Sequence, residues 1–499
     1  MPKRKTPGDA DAFRYRLSSL SADASDVDII ENYKIGESDI YITSDGRYLV
    51  REPVITHEAR RLYDVIIGHI DIGTGFDTTE EIDDDVIALR LEESFWHVAE
   101  RQKRLEDARR LFPHLRYYIR RNVTGYNILD VMMKDPDIED ILCSAPGRNI
   151  HVVSRKYSGR FHTLESNVAF VDVREMERFI QKVYGLNASE PTESQPISVT
   201  HMPDGSRISS TFGRQISKPG PVIAIRKFPA RPLTITHMLN SRTLTVEMAA
   251  YLWTLLDAKA VGLILGVTGS GKTTLLAALA SMLNPRWRIL TMEDTLEIQI
   301  PHKDWVRLNT RKSYGMLGEK FDITMRQLID LSLTQRPDYS IVGEIRVKDM
   351  DSLFQAVGTG HGGLTSFHAS GARTALTRMR GNKISEGELA LLWFTIHVAT
   401  VKRDGSYHRR VRTISQVTQG EDGVVRTDDI YRYDLLHDSF DTKAEVFKTR
   451  RYKEAQTICG IVDPESDLKH RMGLLQRCVK ADAHTVTDVF SILEEYYRM

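Results

Sequence analysis

Cysteine is scarce: only Cys143, Cys459 and Cys478 occur in 499 residues, far apart and in no paired spacing. That excludes a disulfide framework or a thiolate-rich zinc module and fits a reducing cytoplasm. Net charge is missing too, since 68 Lys and Arg balance 68 Asp and Glu, so no chain-wide nucleic-acid surface is expected. Long apolar runs are lacking as well. Ala249–Leu255 and Leu389–Val401 fall short of the roughly 18 residues that argue a membrane span. The basic start Met1-Pro2-Lys3-Arg4-Lys5 leads into no apolar segment, so a secretory signal is not expected. Work at a membrane would go through a partner or peripheral contact.

Against this background one segment stands out. Gly266-Val267-Thr268-Gly269-Ser270-Gly271-Lys272-Thr273-Thr274 contains a complete phosphate-binding loop. The apolar run Gly262-Leu263-Ile264-Leu265 precedes it and a helix-forming run to Ala280 follows, the strand, loop and helix context the motif requires. Its glycines let successive backbone N–H groups and a helix N-terminus face an anion. Lys272 is placed for the β- and γ-phosphates, and the Thr273 hydroxyl for Mg²⁺. ATP and Mg²⁺ are the expected ligands.

Three further segments follow. Glu293, Asp294 and Glu297 come after the strand-like Ile289-Leu290-Thr291-Met292, which predicts them at the C-terminal edge of a sheet, beside the loop. There they would order Mg²⁺ waters and the attacking water. Tyr339-Ser340-Ile341-Val342-Gly343-Glu344 is an apolar strand ending in an acid, the form of a Walker B element. Gly343 stands where many P-loop enzymes carry Asp, so Glu344 alone must orient water, polarise it, or hold the metal through water. Arg346 suits an ion pair with neighbouring carboxylates as well as a functional role. Gly360-His361-Gly362-Gly363 then leads to His368. Two histidines approached through glycines after a Walker B strand suggest γ-phosphate sensing, and they are too few for zinc.

Residues 1 to 28 are rich in Ser, Asp and Ala and read as a disordered tail. A hairpin is expected from Asp39 to Val50, turning at Ser44-Asp45-Gly46, and residues 57 to 122 read as mostly helical, the charges from Glu93 to Arg121 forming a solvated face. From Asn122 to Phe228 the pattern is mixed α/β, with strands at Asn149–Val153 and Val222–Ile225 and a helix around Val173–Tyr184. Pro229-Ala230-Arg231-Pro232 breaks regular structure. Beyond it, strands at Leu263–Leu265, Arg288–Met292 and Tyr339–Val342 alternate with helices, predicting a parallel sheet, and a helical tail covers 464 to 499.

With these residues in view, the chain resembles the type II/type IV secretion ATPase superfamily, most closely its archaeal branch, which includes the motors of archaeal pili and the archaellum. The likeness rests on Ala250-Tyr251-Leu252-Trp253, the loop, Glu293-Asp294-Thr295-Leu296-Glu297, Trp305-Val306-Arg307-Leu308, Gln335-Arg336-Pro337-Asp338, Glu344, and Gly360-His361-Gly362-Gly363 to His368-Ala369. Upstream it extends through Ile138-Glu139-Asp140-Ile141, Gly205-Ser206-Arg207-Ile208-Ser209 and Ile225-Arg226-Lys227-Phe228. It implies a RecA-like ATPase domain over 241–463, a PAS-like domain over 115–228, a hinge over 229–240 and a variable, mainly helical region over 29–114. Arg207 and Arg226 match arginines that reach the nucleotide phosphates as a ring closes. Two departures stand out: Thr334 replaces a frequent Arg, and Arg378-Met379-Arg380-Gly381-Asn382-Lys383 lacks the prolines expected after the histidines.

The expected protein is a cytoplasmic, Mg²⁺-dependent ATPase working as a homohexamer. Through a polytopic membrane platform protein it would power assembly or disassembly of a type IV pilus-like filament, an archaellum or a type II secretion machine. Lys272, Glu344, Glu293, Asp294, Glu297, His361, His368, Arg207 and Arg226 would carry catalysis. The rival readings are a conjugation-type secretion ATPase, a RecA-like nucleic-acid translocase, and a ring that binds nucleotide without turnover.

Overall fold

The computed structural model describes residues 17–22, 27–67, 69, 84–185, 191–202, 204–228, 232–311, 322–403, 406–442 and 445–498. Most of the expected N-terminal tail and the break at 229–231 lie outside them. Among the described residues the strands build two nine-stranded sheets, one in each of two units, Met1–Phe228 and Pro229–Met499.

In the first unit the strands are β1 (Ile29–Ile35), β2 (Ser38–Thr43), β3 (Arg47–Arg51), β4 (Ile138–Cys143), β5 (His151–Ser154), β6 (Leu164–Ser166), β7 (Ile197–His201), β8 (Arg207–Thr211) and β9 (Ile223–Arg226), in the spatial order β1-β2-β3-β6-β5-β4-β9-β8-β7. Helix Val173–Gly185 buries Met176, Phe179, Ile180 and Val183 in the core shared with this sheet. Helices His57–Ile67, Asp84–Arg101 and Leu105–Val123 build a second core, which Leu17 joins. Part of the expected tail is therefore packed. The division expected at 114 is crossed twice, because helix Leu105–Val123 runs through it and β1–β3 share a sheet with the later strands. Arg121 and Glu52, 1% and 0% exposed, lock that junction: Arg121 Nη1 donates to Glu52 Oε1 at 2.6 Å. Removing either partner would strand a buried charge.

The second unit holds β10 (Val261–Leu265), β11 (Ile289–Glu293), β12 (Trp305–Asn309), β13 (Tyr339–Val342), β14 (Gly362–Phe367), β15 (Leu392–Arg403), β16 (Ser406–Gln419), β17 (Val425–Asp434) and β18 (Ser439–Thr442). Their order is β12-β11-β13-β14-β10-β15-β16-β17-β18. Pairing is parallel from β12 to β15 and antiparallel from there on. All residues of β10, β13 and β14 are buried, as expected of parallel strands covered on both faces. Ile264, Ile341 and Leu364 face one core, shared with helices Val246–Asp257, Lys272–Ala280, Arg450–Cys459 and Pro464–Lys480. Val261, Leu263, Val342 and Phe367 face another, with helices Met325–Thr334, Met350–Gly358 and Ala372–Gly381. This is the α/β, RecA-like P-loop architecture that the sequence predicts.

Both ends of this unit differ in detail from the sequence reading. Ile235–Asn240, inside the expected hinge, is a helix with Ile235, Met238 and Leu239 in the core. The C-terminal helices are also core elements. Buried Arg471 donates to Asp257 at 2.6 Å and Asp467 at 2.9 Å, and lies 4.0 Å from the centroid of the Tyr496 ring. Among the described residues no helix is long and apolar enough to cross a membrane.

Candidate active site

Four segments leave the parallel sheet at one edge, because each follows the C-terminal end of its strand. The phosphate loop follows β10, Glu293 closes β11 with Asp294 next, Gly343-Glu344 follows β13, and His368 follows β14. Register fixes their level, since Leu265 pairs with Phe367 and Val342 with Thr365. Strand ends of this kind are where open α/β sheets bind ligands.

The loop turns into helix Lys272–Ala280 at Gly271, whose φ of 94° favours glycine. Lys272 is buried; its Nζ donates to Val267 O at 3.0 Å and to His368 Nδ1 at 3.3 Å. Burial pulls its pKa down, opposed by the charges of Glu344 and Glu297. A lysine ammonium only donates, so Nδ1 of His368 accepts and the ring proton sits on Nε2. That nitrogen lies 3.1 Å from Glu344 Oε1. One imidazole thus spans the loop cation and the Walker B acid.

Glu293 is 1% exposed, and a β-carbon on Gly343 would come within 3.1 Å of its Cγ. The missing side chain at 343 therefore leaves room for Glu293, which turns inward instead of lying on the exposed edge. Oε1 accepts from the N–H groups of Glu297 and Ile298 at 2.9 and 3.0 Å, whereas buried Oε2 has no hydrogen-bond partner among the described residues. Burial pushes this carboxyl up to about 7. Asp294 is exposed, accepts from Thr310 Oγ1 at 2.9 Å, and lies 3.8 Å from Arg346.

The Glu293 carboxyl makes a stability prediction. Its folded-state value lies above the ordinary 4.5, so the folded chain keeps a proton that the unfolded chain releases. The associated stability is present below about 4.5 and is lost as pH rises through about 7, a swing of roughly 3 kcal/mol. Glu293→Gln keeps the Oε1 acceptor and removes the titration. It should match the parent protein in acid and exceed it at pH 8 by roughly 2 to 3 kcal/mol. Denaturant unfolding of both proteins at several pH values tests this, and a pH-independent difference would refute it.

His361 stands elsewhere. It precedes β14, at the opposite edge of the sheet, where Thr359 Oγ1 lies 3.2 Å from its Nδ1. The pairing of two site histidines is therefore corrected to His368 alone at the phosphate edge, because a buried six-residue strand separates the two. Arg207 and Arg226 lie in the first unit as direct cross-strand partners on β8 and β9, and Arg226 Nε donates to Asp140 Oδ1 at 3.1 Å. Arg378, on the segment whose path lacked the expected prolines, lies on helix Ala372–Gly381; its Nη1 donates to the carbonyl of His368. Thr334 ends helix Met325–Thr334 and caps Leu331 O at 2.7 Å. Sequence reasoning missed Arg409, whose stem lies against Gly271. Its signal is its place on a strand bonded beside the strand that follows β10 in the sheet.

A sequence model of the type II/IV secretion system protein family matches residues 132–399, more than half of the chain. The chain belongs to this family. An uncharacterized protein of Methanocaldococcus jannaschii is 33% identical over 314 residues, 62% of this chain and 56% of that protein. The chain thus spans little more than half of that relative's length. The conjugal transfer protein TrbB of Rhizobium radiobacter is 30% identical over 239 residues, 46% of this chain and 70% of its own. The solved ATPase DotB of Legionella pneumophila aligns with 70% of this chain and 86% of its own, at 18% identity and a TM-score of 0.43.

The residues at the edge fit a nucleotide with its metal. Ser270 Oγ inside the loop and Glu293 Oε2 are buried polar atoms without a partner among the described residues, and such atoms ordinarily find one. Among the described residues no group of three or more His, Cys, Asp or Glu is set to hold a metal. A phosphate-borne Mg²⁺ needs only one or two protein ligands, and Thr273 stands in the first turn of the loop helix.

Proposed function

We propose that this secretion-family protein is a cytoplasmic, Mg²⁺-dependent ATPase acting as a homohexameric ring. It powers assembly or disassembly of a type IV pilus-like filament, an archaellum or a type II secretion machine, through a polytopic membrane platform protein at the inner face of the membrane. The observation that carries the reading is the convergence of the phosphate loop, Glu293, Glu344 and His368 on one sheet edge.

In this reading the loop N–H groups and Lys272 hold the phosphates. Bound Mg²⁺, with Thr273 as ligand and Glu344 reaching it through water, would offset charge on the β- and γ-phosphates. Glu344 orients the attacking water; Glu293 and Asp294 order the surrounding waters, with Glu297 supporting them. The Lys272–His368 hydrogen bond gives the site a phosphate sensor. An incoming γ-phosphate competes for Lys272, and His368, facing Glu344, feels that exchange. Arg207 and Arg226 act on the nucleotide of a neighbouring subunit as the ring closes, and hydrolysis reopens it.

Turnover per protomer measured against protein concentration, with Mg²⁺ and no nucleic acid, tests this reading. A steep rise is expected, because the site is completed between subunits. Flat, substantial turnover across a range in which sizing shows monomer giving way to ring would refute the shared site. A conjugation-type secretion ATPase is the second reading, favoured by the named conjugal transfer relative.

A further inference from the structure

Strands β15 and β16 pass the phosphate loop as a two-stranded ribbon and meet it at two glycines. A β-carbon on Gly266 would come within 2.5 Å of Val398 O, and one on Gly271 within 3.1 Å of Arg409 Cδ and 3.6 Å of Arg409 Nε. The Arg409 stem therefore packs on the last glycine of the loop, where helix Lys272–Ala280 begins. Its sequence neighbour shows what a purely structural arginine does here. Arg410 is buried, and its guanidinium donates to Asp438 at 3.0 Å and to Ser241 O at 2.9 Å. Arg409 points to the other face of the strand and is exposed, and its guanidinium makes no hydrogen bond or ion pair with a described residue.

We propose that Arg409 binds the α- and β-phosphates of the nucleotide held by its own chain. This rests on the ATP-site reading above. The backbone of a phosphate loop cradles the α- and β-phosphates, and Gly271 belongs to that cradle. A stem held against Gly271 keeps the guanidinium beside that part of the phosphate chain, and its planar fork of donors matches phosphate oxygens. With no carboxylate partner to give up among the described residues, Arg409 exchanges water for the anion. Because it acts within one chain, its contribution needs no ring, unlike those of Arg207 and Arg226. It also serves ADP as well as ATP, since neither phosphate concerned is the one removed.

The test is titration of the full-length protein with fluorescent ADP at protomer concentrations below ring assembly, in low and high salt. Arg409→Ala removes an exposed side chain and leaves both cores intact. It should weaken ADP binding about tenfold in low salt, and the deficit should shrink in high salt as the charge contact is screened. Arg409→Lys should recover part of the affinity. An ADP affinity within twofold of the parent, with Lys272→Ala abolishing binding, would overturn the assignment of Arg409 while leaving the ATP site standing. If Lys272→Ala also binds normally, the loop reading falls and the assignment with it. A deficit equal at both salt concentrations would mean packing rather than phosphate recognition, and would overturn it too.

Discussion

Replacing both Arg207 and Arg226 with Ala is expected to lower ATP turnover by about 10³- to 10⁵-fold, the range found for arginines acting in trans. Nucleotide binding by the separate protomer should change little. These residues are exposed at direct cross-strand positions on β8 and β9. Like charges so placed repel, and Asp140, cross-strand to Arg226 on β4, offsets one of them. A cationic pair of this kind is suited to an anion brought from outside the unit. Co-expression gives the decisive measurement. Protomers carrying Lys272→Ala keep the arginines but lose the loop cation, and protomers lacking both arginines keep the loop. Each should be silent alone, and mixed rings should recover part of the turnover. Mixed rings as silent as their parents would remove both arginines from a trans role.

Glu344→Gln is expected to bind ATP and to hydrolyse it about 10² to 10⁴ times more slowly. Glutamine keeps the size of the side chain and an oxygen that can face His368 Nε2, so the edge retains its shape. The charge that orients and polarises water is gone. Near-parental turnover would take Glu344 out of that role and shift attention to Glu293, which is deeper and lies against Gly343. Binding and single-turnover measurements on the same preparation separate the two effects.

Much of this edge was legible because apolar strands announce where their ends lie. Leu263-Ile264-Leu265 and Ile341-Val342 are buried on both faces, so the residues that follow them emerge together. What stayed hidden depends on partners remote in sequence. Glu293 read as an acid at the sheet's C-terminal edge beside the loop, and its burial there goes with the absence of a side chain at Gly343, just past the end of the neighbouring strand. His361 and His368 were grouped by their glycine-rich approach after a Walker B strand, but the strand between them carries them to opposite edges. Arg409 and Arg410 are indistinguishable in a charge count, and only strand alternation sends one into the core and the other onto the loop. In the first unit, the hairpin at Asp39 to Val50 was readable from its turn. That it joins the distant strands of β4–β9 was not, because β3 reaches them only through two paired positions on β6.

Strand β14 is hydrogen-bonded on one flank to β13, which ends at the Walker B acid, and on the other to β10, which ends at the phosphate loop. It works as a shaft between two jaws. It is buried along its whole length, as a strand covered on both faces of a parallel sheet is. Its buried span of roughly 20 Å separates His368 at one end from His361 at the other. The candidate phosphate edge and the far rim of the sheet are thus two ends of one buried strand.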